Sequence, residues 1–289
     1  MPSDRIYQIE DFSTIFDAVQ KSGLNLVLVG GQACNFYSDK FLGLSPILKT
    51  LYPLTSKDID YHGQVGDGEK LAKHLKGEFI PSPRKGTFVC LGKVVFDGKE
   101  IEILRTVRGL SDDVVSKAYL PWDFKGFQVR VLHPVPLYEA KAANLVTLDQ
   151  TNRQDEKHLR AMEAVLPEYF KSIVNDPAKE RVLLNSFKRL HDFSFSTAGK
   201  TLVKQGRISP VDLIPIFKAP SEKIKLWQEK QRPQWEAKLL KEGLRKFESV
   251  KFATKRGSKV DLTEKSLDAA YTETKKSGTS QSIEIKKII

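Results

Sequence analysis

The alternation of apolar and polar positions divides the chain into recognisable elements before any chemistry is considered. Residues 9–22 carry Ile15, Phe16 and Val19 on one helical face, and Gly23 is placed to end that helix. Leu26-Val27-Leu28-Val29 is a continuous apolar run, short enough to be a buried strand, and it breaks at Gly30-Gly31 into a helix expected over 32–39. A strand follows at 58–61 and a helix at 69–75. Residues 79–96 mix β-branched and apolar residues with Pro, Gly and Lys, a pattern of short strands. Asp97-Gly98 is a hairpin turn signal joining Val94-Val95-Phe96 to the strand 99–104. Val129 to Leu132 is another strand, Leu137 to Leu145 a helix, and a second helix opens near Asn152. From Leu166 to about Leu244 the pattern is mainly helical, with breaks expected at Pro167, Pro210 and Pro220. Trp227 and Trp235 share one helical face if Pro233 kinks that helix, and packing against the body is their expected role. Residues 251–289 are rich in Lys, Ser and Thr and are expected to form a basic arm, with 282–285 able to pair as a strand. This order of elements predicts an α/β (α+β) chain, a mixed sheet flanked by helices and followed by a mainly helical part. The expected division is 1–132, 133–250 and 251–289.

Composition narrows the function classes. The 289 residues carry a formal net charge of +11, which favours nucleic acid or another polyanion as partner. No apolar run is long enough for a bilayer, and the first residues lack a signal-peptide core, so no membrane association and a cytoplasmic location are expected. The two cysteines, Cys34 and Cys90, sit beside apolar residues and are expected to be buried thiols, not a disulfide or a zinc site.

Two segments carry the candidate chemistry. In a strand, Asp58 and Asp60 project to the same face while Ile59 packs behind them. Two adjacent carboxylates repel, and a divalent cation relieves the repulsion. A glycine turn at a helix N-terminus brings backbone N–H groups close to a phosphate. A Rossmann reading fails on the missing third glycine after Gly30-Gly31, and there is no Walker A lysine motif. Each segment alone is also compatible with a plain turn or an exposed acidic edge.

Together, Val29-Gly30-Gly31 and Asp58-Ile59-Asp60 resemble the signature of the DNA polymerase β superfamily of nucleotidyltransferases. Gly30-Gly31-Gln32-Ala33 and Lys57-Asp58-Ile59-Asp60 look most like its bacterial AbiEii-type branch, which includes toxin–antitoxin and phage-defence toxins. The separation between glycines and carboxylates is longer than in the family, and the extra stretch, about 36–54, is expected to form a loop or short helix over the site. The resemblance implies a polymerase-β-like nucleotidyltransferase fold, a nucleoside triphosphate substrate and Mg²⁺ or Mn²⁺ held by Asp58, Asp60 and a third carboxylate. Glu102 is the candidate for that third position, with Glu100 as the fallback. Gly30 and Gly31 would hold phosphates. Lys141, followed by Arg153-Gln154-Asp155, matches the family's downstream lysine and basic-x-Asp helix start, so Lys141 and Asp155 would serve the nucleotide. His158 stands where the family often has a second acid. Arg105 and Arg108 are either guides for a polyanionic acceptor or ordinary surface residues.

The activity implied is transfer of a nucleoside monophosphate to an acceptor hydroxyl, with RNA or tRNA as acceptor and an antitoxin protein as a further partner. Two alternatives stay open: a non-catalytic nucleic-acid-binding protein on a degenerate transferase scaffold, and a small-molecule or protein adenylyltransferase.

Overall fold

The computed structural model describes residues 7–64, 66–83, 89–218 and 220–244, together with the strands Phe252–Ala253 and Lys259–Val260. The chain divides into two compact units, the first running to Trp235 and the second beginning at Glu236.

The first unit opens with a single 3₁₀ turn, Ile9–Phe12, leading into helix α1 (Ser13–Ser22). Gly23 ends α1 in the left-handed region, at φ 65°, where a side chain would be strained. Strand β1 (Val27–Val29) is buried throughout, as its unbroken apolar run requires. Helices α2 (Gly30–Phe41) and α3 (Pro46–Leu51) follow, then β2 (Asp58–His62), α4 (Asp67–Leu75), β3 (Glu78–Pro81), β4 (Cys90–Phe96) and β5 (Lys99–Leu104). Next come α5 (Asp112–Lys117), β6 (Tyr119–Phe124), β7 (Phe127–Leu132), α6 (Pro134–Thr147) and α7 (Asp155–Ile173). The remaining helices are α8 (Glu180–Ser194), α9 (Thr197–Lys204), α10 (Glu222–Leu226) and α11 (Arg232–Lys241). In the second unit, Phe252–Ala253 and Lys259–Val260 pair as antiparallel strands β8 and β9.

Strands β1 to β7 form one mixed sheet in the order β3-β4-β5-β2-β1-β7-β6. β1 lies between β2, antiparallel to it, and β7, parallel to it. β2 runs parallel to β5. β4–β5 and β7–β6 are hairpins, and their turns explain themselves: Asp97 and Gly98, then Lys125 and Gly126, all have positive φ, as tight hairpin turns require. The fold is therefore α/β, with a mixed sheet flanked by helices and a helical C-terminal half of the first unit.

Three expectations need correction. Pro167 does not break a helix: α7 continues through it from Asp155 to Ile173. The flanking Leu166, Tyr169 and Phe170 are buried, and their packing holds the backbone where the proline removes one hydrogen bond. Cys34 is fully buried, its thiol pushed up to about 12 by burial, but Cys90 is only half-buried at the start of β4. Strand β6, with Pro121 inside it, was not expected. It is an edge strand, where a missing N–H costs no ladder bond.

The longer segment between the glycines and Asp58 is mostly helical. α2 runs to Phe41, and α3, capped by Ser45 and fixed by the buried Leu48, packs on α7. Pro210 and Pro220 do mark breaks, lying at a 3₁₀ turn (Pro210–Leu213) and just before α10. Between α10 and α11 the chain widens into a π turn, Trp227–Gln231, and Pro233 follows as the second residue of α11. Both tryptophans face α8: Trp227 lies 4.4 Å from Phe187 and Trp235 5.5 Å from His191, between ring centroids. The strand expected at 282–285 lies outside the described residues. Among the described residues, no helix is long and apolar enough to cross a membrane.

Candidate functional site

The strand register builds the acidic site. β2 is half-buried at Asp58 and Asp60 and buried at Ile59 and Tyr61, so the two aspartates share a face. Parallel pairing with β5 sets Asp58 beside Glu100 and Asp60 beside Glu102. Asp58, Asp60 and Glu102 each offer a carboxylate oxygen, and these three lie within 4.8 Å of one another. Glu102, not Glu100, completes the group.

The glycines sit against it. Val29 is the register partner of Asp60 across β1–β2, and α2 starts at the next residue. Gly30 has φ 68°, and a Cβ there would fall 1.8 Å from Asp60 Oδ2. A Cβ on Gly31 would fall 2.7 Å from Ser56 Oγ and 3.1 Å from His158 Cε1. The pair is thus required for close approach of the helix start to the carboxylate strand. Ser56, tied by reciprocal backbone bonds to Tyr7, donates its hydroxyl to Asp58 Oδ1 at 3.0 Å.

Helices α6 and α7 bring the basic groups to this place. His133 caps α6 by accepting from the Val135 N–H, and its Nε2 meets Tyr169 Oη of α7 at 2.9 Å. Two turns along α6, Lys141 is buried and bonded to the buried Asp155 at 3.0 Å. Arg153 Nε reaches the other oxygen of Asp155 at 2.6 Å, and the Asn144 amide adds a bond at 3.3 Å. His158 is buried against the glycine turn.

Electrostatics join the two clusters. Burial, then repulsion from Asp58 and Glu102, raises Asp60 well above the usual carboxylate range, while Lys141 and Arg153 are near enough to oppose the rise. Burial favours the neutral form of Asp155, but the charges and hydrogen bonds of Lys141 and Arg153 outweigh it and hold the carboxyl below its usual range. Burial likewise pushes Lys141 down, yet Cys34, Asp155 and Asp60 together shift it upward. Burial, reinforced by Lys141, drives His158 well below its usual value, so it is a neutral ring and no substitute for an acid.

Every sequence-derived candidate except Arg105 and Arg108 therefore falls in one region of the first unit, with Glu100 beside the triad but not part of it. Arg105 and Arg108 are exposed after the end of β5. Three participants escaped the sequence reading: Ser56, Asn144 and Lys93. Lys93 stands opposite Glu102 across the β4–β5 hairpin and contacts both Glu102 and Glu100, at 3.1 and 2.7 Å. Its signal was present, because counting back from the Asp97-Gly98 turn pairs Lys93 with Glu102.

The residues present fit a divalent cation. The donors are hard carboxylate oxygens, they are forced together at the cost of an elevated Asp60 pKa, and only a glycine at position 30 leaves Asp60 its place.

Neither a family model nor a curated protein matches this sequence. Among solved structures, the chain is similar to the antibiotic-resistance factor ANT(2'')-Ia, known from a solution structure. The identity is 13%, the match covers 63% of this chain and 91% of that one, and the TM-score is 0.38. The functional reading rests on the geometry of the site itself.

Proposed function

We propose that this protein transfers a nucleoside monophosphate from a nucleoside triphosphate to an acceptor hydroxyl, using Mg²⁺ or Mn²⁺ held by Asp58, Asp60 and Glu102. The observation that carries the reading is the gathering of these three carboxylates within 4.8 Å beside a glycine-cleared helix start. The cation, when bound, supplies the positive charge that a triphosphate and a departing pyrophosphate need. The chain's own residues do the rest. Backbone N–H groups at Gly30 and Gly31 face the phosphates at the N-terminus of α2. Ser56 fixes the rotation of the Asp58 carboxylate through its hydrogen bond. Lys141 and Arg153, oriented by Asp155, set a positive potential behind Asp60. Glu102 takes the proton of the acceptor hydroxyl as its oxygen bonds to the α-phosphorus and pyrophosphate leaves.

Within this reading the acceptor is RNA, with tRNA ends first among candidates, and the biological setting is a growth-arresting toxin or defence effector neutralised by an antitoxin protein. The net charge of +11 supports a polyanionic acceptor. A small-molecule or protein acceptor would have less need of that charge. One observation favours a second reading, nucleotide binding without turnover: Lys93 already neutralises Glu102.

The experiment is label transfer. Purified protein is incubated with each α-³²P nucleoside triphosphate, Mg²⁺ and total cellular RNA, beside an Asp58→Ala/Asp60→Ala variant. Label in RNA with the wild type only is the expected result. Label on protein redirects the acceptor assignment. Nucleotide binding with no transfer establishes the second reading in its place.

A further inference from the structure

Lys93 links the acidic triad to an acid outside it. Its ammonium is shared between Glu100 Oε2 at 2.7 Å and Glu102 Oε1 at 3.1 Å. The Lys93 and Glu100 side chains are both about two-fifths exposed, at 41% and 42%, whereas Glu102 is less so, at 24%. The outer pair is therefore more open to rotamer changes in water than the inner carboxylate. Two cations beside one carboxylate repel each other, the more so away from bulk water. A divalent ion entering the triad thus acts against the lysine already there.

We propose that Lys93 is a positioning residue that competes with the divalent cation for Glu102, with Glu100 as the partner that takes the ammonium when the cation enters. The inference rests on the metal-dependent reading of the triad. In the cation-free site, Lys93 holds one oxygen of Glu102. Cation entry breaks the Lys93–Glu102 contact and leaves the Lys93–Glu100 contact intact. The arrangement weakens cation binding to the empty site, so that the ion is retained when a triphosphate adds its own negative charge.

Glu100 thus favours the cation, as its position beside the triad suggests, but its main effect passes through Lys93. A simple field effect predicts that Glu100 contributes equally whether or not Lys93 is present. A receiving partner contributes only when there is a lysine to receive.

The test is Mn²⁺ binding to the nucleotide-free full-length protein, followed by the electron paramagnetic resonance signal of free Mn²⁺. Lys93→Gln is expected to tighten binding about five- to tenfold, the size of removing one nearby partly screened charge. Glu100→Gln is expected to weaken it by a similar factor, because Lys93 is then held by Glu102 alone. In the Lys93→Gln background, the same Glu100→Gln change should alter binding less than about twofold, since no ammonium is left to relocate. Lys93→Arg, which keeps the charge and the fold, should bind as the wild type does. Unchanged or weaker binding in Lys93→Gln overturns the inference, and so does an equal Glu100→Gln effect in both backgrounds. Equal Mn²⁺ binding by the wild type and Asp60→Asn overturns the triad reading itself, a failure distinct from that of Lys93.

Discussion

At the scale of single residues, the site is built from groups that are unfavourable on their own. Asp60 is the clearest case, since burial and the charges of Asp58 and Glu102 raise its pKa well above the ordinary range. The folded protein therefore holds a proton that the unfolded chain has released, in the window from the usual carboxylate range up to the elevated value. Stability falls as pH rises through that window. Asp60→Asn, which removes the charge and nearly preserves the shape, is expected to raise the urea midpoint at neutral pH in the presence of EDTA. The advantage should shrink as pH falls and vanish below the ordinary aspartate range, where Asp60 is protonated in both states. Equal midpoints at neutral pH would show that the repulsion is already relieved within the fold. Asp58, Asp60, Gly30 and Gly31 were legible in the sequence because strand alternation and glycine chemistry act locally. Glu102 was placed ahead of Glu100 by resemblance alone, because both face the same side of β5 and only pairing with β2 distinguishes them physically.

At the scale of elements, most boundaries follow local rules, and the exceptions are tertiary. The hairpin at Asp97-Gly98 was readable from two residues, and its register placed Lys93 against Glu102. Strand β6 was missed because Pro121 and the short run around it carry no clear period, and its pairing comes from β7. α7 shows the opposite error: a proline that breaks most helices is carried by the buried residues around it. Pro167→Ala restores the missing N–H and is expected to stabilise the protein by about 1 kcal/mol, well below the roughly 3 kcal/mol helix propensity difference because the native backbone already accommodates the ring. A thermal melt tests this, and a lower melting temperature would mean that the proline is required by its neighbours.

At the scale of the whole molecule, the excess of positive charge must act through its field. RNA binding, in the proposed function, should weaken steeply with salt, with a negative slope of log affinity against log salt concentration. A gel-shift series between low and moderate salt measures that slope, and affinity independent of salt would remove charge as the reason for an RNA acceptor. The sequence by itself determined the α/β class, the strand–glycine–helix start and the pairing of Asp58 with Asp60 on one face, because these depend on periodicity and backbone freedom within a few residues. It also held the Lys141–Asp155 pattern, but as two separate helix segments. Only the tertiary structure decided that β5 lies beside β2, that α6 and α7 bring Lys141, Arg153 and Asp155 within electrostatic reach of Asp60, and that the Lys93 ammonium is shared between Glu102 and Glu100. Sheet order and helix packing join residues distant along the chain, and the energy that fixes them comes from burial spread over the whole core rather than from any one segment.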